Sequence, residues 1–310
     1  MGKLIDGKWE KADVATTNKE GGYDRIPRSF LDTISPGHSK FKPEKDRYHL
    51  YVSYACPWAH RTLIMRELKD LNSFIGVSVV SPDMLDEGWT FETDFAATTG
   101  DKLFNKNFMR EVYVLADPKV TTSVTVPVLW DKENKTIVNN ESSEIIRIFN
   151  TAFNELTGNQ LDFYPEALRS KIDEVNELVY HNINNGVYKS GFAKTQSAYD
   201  ENVSKLFESL DRIEEMLEGN DYLVGNTFTE ADIRLVTTLL RFDPVYHGHF
   251  KCNRKRIKDY QNLSRYTAKL YSMNAIKSTT NFEHIVRHYH YSHDKINPYR
   301  IIPIGPETMF

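Results

Sequence analysis

The stretch Tyr48-His49-Leu50-Tyr51-Val52-Ser53-Tyr54-Ala55-Cys56-Pro57-Trp58-Ala59-His60-Arg61 decides how the chain is read. Its first five residues form a short apolar run that predicts a strand, and Arg61 to Leu68 predicts a helix. Cys56 falls at the junction. A thiol there lies near unpaired backbone N–H groups and the positive end of a helix dipole. Both favour thiolate over thiol, and the thiolate is the reactive form. Pro57 suits the first helical turn, where its missing N–H costs nothing. Three residues after Cys56, where a disulfide oxidoreductase carries a second cysteine, the chain has Ala59. The pattern predicts redox chemistry on a single cysteine.

Working outward, Ile75-Gly76-Val77-Ser78-Val79-Val80 predicts a second strand, followed by a long insertion. Val126-Pro127-Val128-Leu129-Trp130, a turn at Asp131 to Lys135, and Thr136-Ile137-Val138 predict a hairpin. Glu141-Ser142-Ser143-Glu144 then opens a helix reaching Asn150. The order β-α-β … β-β-α implies a small mixed sheet of the thioredoxin type. Beyond about residue 165 the period turns helical. Leu168, Ile172, Val175, Leu178 and Val179 make one apolar stripe, and Val203, Leu206, Phe207, Leu210, Ile213 and Leu217 make another. Thr229 with Asp232 three residues on resembles a capping box. The expected class is therefore α/β plus all-α. Residues 1–45 would form an irregular N-terminal arm, 46–155 a thioredoxin-like domain, and 165–310 a helical domain with a C-terminal extension.

Composition narrows the classes of function. The formal charge of −4 argues against a general nucleic-acid surface. No apolar run of about 18 residues is present, so no spanning helix is expected. Met1 to Asp6 has no signal-peptide character, and two cysteines, Cys56 and Cys252, cannot build a disulfide framework. A reducing, cytoplasmic setting is the expectation.

Two further places can carry chemistry. Val126-Pro127 starts a strand, where either an edge-strand proline or a cis peptide fits. A cis peptide would present the backbone N–H and C=O of Val126 to a ligand. At Glu141-Ser142, Ser142 can cap the helix and hold an anion, and Glu141 can take an ammonium group; plain helix capping fits as readily. His284, His288, His290 and His293 lie close together, but no third ligand has convincing metal spacing, so no metal is expected. Lys251, Arg254, Lys255, Arg256 and Lys258 read as a solvated surface, and Cys252 as packing.

Together, Cys-Pro-Trp-Ala, Val-Pro and Glu-Ser on a thioredoxin-type domain, followed by a helical domain with a Thr-x-x-Asp cap, resemble a glutathione transferase. Ser53 to Thr62, Glu87-Gly88-Trp89, Asn184 to Tyr188, Gly248 to Asn253 and the tail from His288 to His293 are similar to the S-glutathionyl-hydroquinone reductases, or Xi-class transferases. The resemblance implies Cys56 as nucleophile. It implies Trp89, the Ser123-Val124-Thr125-Val126 segment and Glu141-Ser142 as holders of glutathione, the co-substrate. Tyr188, at the end of the first helix of the second domain, would handle the substrate proton. Tyr246 and Tyr289 would favour the Cys56 thiolate. The implied second substrate is an aromatic glutathionyl-hydroquinone, and the implied assembly is a homodimer with neither nucleic acid nor membrane as partner. One departure stands out: Ser123 occupies a place where the family commonly has Arg. Glutathione affinity then falls, or another cation takes over, with Arg110 the candidate. Two competing readings share these residues. One is an omega- or glutaredoxin-like thiol transferase acting on mixed disulfides or dehydroascorbate, and the other is a non-catalytic binding protein of transferase fold.

Overall fold

The computed structural model of the chain describes residues 2–11, 16–17, 21–24 and 28–306. Its principal elements, in chain order, are β1 (Gly2–Ile5), β2 (Lys8–Lys11), β3 (Tyr48–Val52), α1 (Pro57–Leu68), β4 (Gly76–Val79), α2 (Met109–Ala116), β5 (Thr122–Ser123), β6 (Val128–Asp131), β7 (Thr136–Asn139), α3 (Ser142–Thr151), α4 (Arg169–Leu178), α5 (Gly186–Gly191), α6 (Gln196–Met216), α7 (Glu230–Arg241), α8 (Gln261–Ser272) and α9 (Phe282–Ser292). They divide into two compact units. The first comprises residues 1–14, 26–161 and 279–292; the second comprises 15–25, 162–278 and 293–310. The helix α9, which the linear reading placed with the helical domain, returns to the first unit.

In the first unit a four-stranded sheet has the order β4-β3-β6-β7. β3 runs parallel to β4, with Val52 opposite Val79, and antiparallel to β6, with Leu50 opposite Leu129. All five residues of β3 are buried, as expected for a strand covered on both faces. α1 packs against α3. The insertion after β4 supplies Phe91 against Tyr51 and Phe104 edge-on to Trp130. α9 fastens that insertion: Arg287 forks onto Asp83 with two bonds of 2.7 Å, and Ser292 Oγ accepts from the Met84 N–H. The hairpin turn after β6 is pinned by buried Asp131, which takes bidentate donation from Arg47 at 3.0 and 2.7 Å.

The N-terminal arm differs from the irregular segment expected of it. β1 and β2 form a hairpin around Asp6 and Gly7, which have φ of 49° and 72°. An Asp-Gly pair in that conformation makes the tight turn whose twist matches two antiparallel strands. β1 also pairs with β5, Leu4 opposite Thr122, and Leu4 is buried. Trp9 on β2 lies over Gly88, where φ is +73° and a Cβ would stand 2.9 Å from the indole. Residues 12–15, 18–20 and 25–27 of the arm lie outside the described residues.

The second unit is built round α7, buried along its whole length. Its capping box is present. The Asp232 carboxylate accepts from the Thr229 N–H at 2.8 Å, and the Thr229 hydroxyl caps the Ala231 N–H. Asp232 also accepts from the Leu223 N–H and from the Tyr266 hydroxyl. Burial pushes its carboxyl up to about 6 against the pull of those donors. The apolar stripes fall largely where the periodicity placed them: Ile172, Val175 and Val179 are buried, as are Leu206, Phe207, Leu210, Ile213 and Leu217, while Leu168, Leu178 and Val203 are half-buried.

Candidate active site

Cys56 sits where the strand-to-helix punctuation put it. The Ser53 hydroxyl accepts from the Ala55 N–H, and the Ser53 carbonyl accepts from the Cys56 N–H at 3.2 Å, closing the turn out of β3. Cys56 is the N-cap of α1 in extended conformation, with Pro57 the first helical residue and no acidic side chain in the first turn. The helix begins at Pro57, the first-turn place expected of that residue, ahead of the Arg61–Leu68 run read as its body. The thiol makes no capping bond to α1; instead it donates to the Val126 carbonyl oxygen at 3.5 Å, across 70 residues of chain. Cys56 is half-buried, and Ala59 is fully buried.

The Val126-Pro127 peptide is cis, the alternative in which Val126 offers its backbone groups. The loop before it is held by a residue the sequence reading passed over. The Tyr113 hydroxyl donates to the Thr125 carbonyl at 2.9 Å, accepts from the Thr125 N–H at 3.3 Å, and accepts from the Asn140 side-chain amide at 3.1 Å. One buried phenol on α2 thereby ties the Thr125-Val126 loop to the start of α3. Ser123 lies on β5, paired with Lys3, and Val124 is buried behind it.

At α3 the capping roles differ from expectation. Glu141, rather than Ser142, is the N-cap; its carboxylate accepts from the Ser143 N–H at 3.0 Å and from the Ser143 and Ser142 hydroxyls at 3.1 and 3.3 Å. Two adjacent residues could each cap, and the longer Glu side chain curls back to reach the second N–H of the helix. Burial pushes the Glu141 carboxyl up, but the Ser143 N–H and the charges of Arg28 and Arg61 outweigh it and hold the group below its ordinary value. Arg61, buried at 1% exposure, reaches Ser142 Oγ at 3.5 Å and lies over the Trp58 ring.

Trp89 is buried and stacks on His288, with ring centroids 4.9 Å apart. His288 Nδ1 in turn donates to the Pro82 carbonyl at 2.8 Å. Arg110, the candidate replacement cation, is engaged elsewhere: it pairs with the Glu87 carboxylate, donates to the Glu87 carbonyl, and lies over Phe108 and Trp9. Tyr289 is buried on α9 and edge-on to His288. α9 also sets His284 edge-on to Tyr54, two residues before Cys56, so Tyr289 belongs to the unit that holds the thiol.

The other two tyrosines are in the second unit. Tyr188 lies near the end of a helical run from 169 to 191, as expected, but that run is interrupted. α4 gives way to a π-helical stretch, Val179–Asn184, and Tyr188 stands on the separate helix α5. Asn184 anchors that break by donating to the Arg234 carbonyl and the Thr238 hydroxyl of α7. Tyr246 ends a second π-helical stretch, Phe242–Tyr246. Such breaks re-aim the side chains that follow them. The two phenol rings lie 6.0 Å apart in a cluster with Phe192 and Phe250. Phe250 fits only because Gly191 has no side chain, since a Cβ there would lie 2.2 Å from the ring. The tail histidines separate: His284 meets the Ala96 carbonyl in the first unit, and His293 meets His249 in the second. Among the described residues no group of three or more His, Cys, Asp or Glu is placed to hold a metal.

A thioredoxin-like unit with a lone cysteine starting its first helix, joined to a helical unit, defines the glutathione transferase class. Family models for the glutathione S-transferase N-terminal and C-terminal domains match residues 55–152 and 196–269. The glutathionyl-hydroquinone reductase YqjG of Escherichia coli is 55% identical over 99% of this chain and 95% of its own. Its glutathione-bound structure superposes with a TM-score of 0.90, covering 99% of this chain and 96% of that one. The glutathionyl-hydroquinone reductase PcpF of Sphingobium chlorophenolicum is 49% identical over 99% of this chain and 96% of its own. The crystal structure of the Xi glutathione S-transferase of Phanerochaete chrysosporium is 58% identical, with a TM-score of 0.93 and coverage of 95% and 96%. The chain belongs to the Xi-class glutathione transferases, the family of the glutathionyl-hydroquinone reductases.

Proposed function

We propose that the protein reduces S-glutathionyl-hydroquinones to hydroquinones at the expense of glutathione, with Cys56 as the nucleophile. The observation that carries this reading is the Cys56 thiol at the N-cap of α1, 3.5 Å from the Val126 carbonyl, with apolar Ala59 where a resolving thiol would stand. Helix α1 favours the thiolate, which attacks the sulfur of the aryl thioether. The sulfur–carbon bond breaks, a Cys56–glutathione disulfide forms, and the ring carbon takes a proton, the role we assign to Tyr188. Ala59 supplies no second thiol, so the thiolate of free glutathione must attack the mixed disulfide. It leaves as oxidised glutathione and restores Cys56. The ring carbon is reduced, two glutathione sulfurs are oxidised, and the kinetics are ping-pong.

Trp89, the Ser123-to-Val126 segment and the Glu141-Ser142 pair are assigned to glutathione. Val126 offers backbone groups, and the start of α3 offers the Glu141 carboxylate for an ammonium, with Ser142 as the first helical residue beside it for a carboxylate. The cluster of Tyr188, Phe192, Tyr246 and Phe250 suits a flat aromatic ring. Tyr246 and Tyr289 are assigned to the thiolate as phenol donors. A homodimer and a cytoplasmic setting complete the proposal; among the described residues no helix is long and apolar enough to cross a membrane.

Rates measured side by side on a glutathionyl-hydroquinone and on a simple glutathione mixed disulfide test the reading. Tyr188→Phe is expected to slow the first by about a hundredfold, the contribution of a positioned proton donor, and to leave the second nearly unchanged. A preference for the mixed disulfide, with no effect of Tyr188→Phe on either, would favour a thiol transferase.

A further inference from the structure

Glutathione presents one ammonium and two carboxylates, one on the γ-glutamyl residue and one on glycine, so a glutathione site must supply cations or N–H groups for both acids. Among the arginines near Cys56 and α3, Arg61 is buried and turned to Ser142 and Trp58, while Arg110 is paired with Glu87. Arg28 is different. The segment that carries it runs alongside the end of β7 and the start of α3. Leu31 bridges Asn139, the Phe30 N–H donates to Asn140 Oδ1 at 3.3 Å, and the Phe30 carbonyl accepts from the Asn140 N–H at 3.0 Å. One residue earlier, the Ser29 hydroxyl donates to Thr122 Oγ1 at 2.7 Å on β5. Continuing that register sets Ser29 opposite Glu141 and Arg28 one residue further, level with Ser142 at the start of α3, and the Arg28 charge acts on the Glu141 carboxylate. Its side chain is half-buried, and no hydrogen bond to another described residue occupies its guanidinium.

We infer that Arg28 is a specificity-determining residue of the glutathione site, its guanidinium pairing with a carboxylate of the bound tripeptide. The inference rests on the glutathione reading above. Its physical basis is a planar fork of N–H donors on a segment pinned through Ser29 and Phe30, beside an α3 N-terminus that Arg61 already reaches at Ser142. The Arg28 charge acts on Glu141 through space, and Glu141 takes the substrate ammonium, so this end of α3 complements the paired charges of an amino acid. Thr122 and Ser123 carry no charge of their own; of the cations flanking them, Lys3 is exposed on β1, whereas Arg28 is half-buried beside α3.

The test uses S-methylglutathione, which cannot react with Cys56, together with its glycyl ethyl ester and an analogue in which 4-aminobutyrate replaces the γ-glutamyl residue. Each is titrated calorimetrically into the unaltered protein and into the Arg28→Ala and Arg28→Lys variants. Arg28→Ala is expected to weaken S-methylglutathione roughly tenfold or more, as for loss of a charge-assisted bond, and Arg28→Lys less. One analogue, whichever lacks the partner carboxylate, should bind the unaltered protein and Arg28→Ala equally. A merely structural role for Arg28 would weaken all three ligands by the same factor, and that result overturns the inference. So does unchanged affinity in Arg28→Ala. Labelling of Cys56 by iodoacetamide with Cys252 still protected confirms that the variants are folded. If the unaltered protein binds none of the three ligands, the glutathione reading fails and takes the inference with it; binding without the Arg28-dependent difference sinks the inference alone.

Discussion

Cys56 and Cys252 occupy opposite kinds of surroundings. Cys56 is half-buried at the start of α1, beside helix N–H groups, and its sulfur faces the Val126 carbonyl. Cys252 is fully buried in the second unit, its thiol directed at the Phe250 carbonyl at 3.8 Å. Burial pushes the Cys252 thiol well above its ordinary value, against the weaker pull of Ser190 and Lys251. On the proposed reading, the same side chain is a nucleophile at one position and packing at the other. The difference lies in the backbone and solvent around the sulfur, since neither cysteine is bonded to the other.

The largest effect that can break this contrast comes from exchanging the two sulfurs for oxygen. Cys56→Ser is expected to reduce turnover to background while leaving glutathione binding in place, and Cys252→Ser to change turnover by less than about twofold. Iodoacetamide should label Cys56 in the native protein and Cys252 only after unfolding, as peptide mapping would show. Equal labelling of both thiols would erase the distinction.

A smaller effect sharpens it. If the Val126 carbonyl is what sets the surroundings of Cys56 apart, loosening its loop should matter. Tyr113→Phe removes the hydroxyl that meets Thr125 and Asn140. The expected cost is about 1–3 kcal/mol of stability in urea unfolding, the range for leaving buried polar groups unsatisfied, with a raised KM for glutathione. The smallest effect concerns α3, whose N-terminus, unlike that of α1, is already occupied by a carboxylate. Glu141→Gln should cost about 0.5–1 kcal/mol at neutral pH. Because the Glu141 carboxyl lies below its ordinary 4.5 in the folded protein, its contribution is present above that pH. It is lost as pH falls through the folded value. Unfolding free energies of variant and parent should therefore converge in acid.

Much of the first unit was legible because its signals are local. A strand, a turn and a proline-started helix frame Cys56, and a proline at a strand start left two forms open, of which the structure has the cis peptide. Capping at α7 was equally local, with Thr229 and Asp232 three residues apart. What stayed hidden is long-range or ambiguous at short range. The Asp6-Gly7 hairpin was masked by a polar composition that also suits an irregular arm. The choice of Glu141 over Ser142 as cap depends on how a flexible side chain folds back. Tyr113 and Arg28 matter through what lies across the fold from them, and periodicity reports which face a residue is on, never which partner it meets. The return of α9 to the first unit is of the same kind: only the packing of His284, Arg287 and Ser292 shows where it goes.

The central claim is that one cysteine carries the glutathionyl group and cannot release it alone. Intact-mass and peptide analysis of the protein after a single addition of glutathionyl-hydroquinone, without free glutathione, tests it most directly. The account predicts one glutathionyl group per chain, on Cys56, with Cys252 unmodified and the adduct removed when glutathione is added. Hydroquinone released with no adduct on Cys56, or an adduct that clears without glutathione, would contradict it.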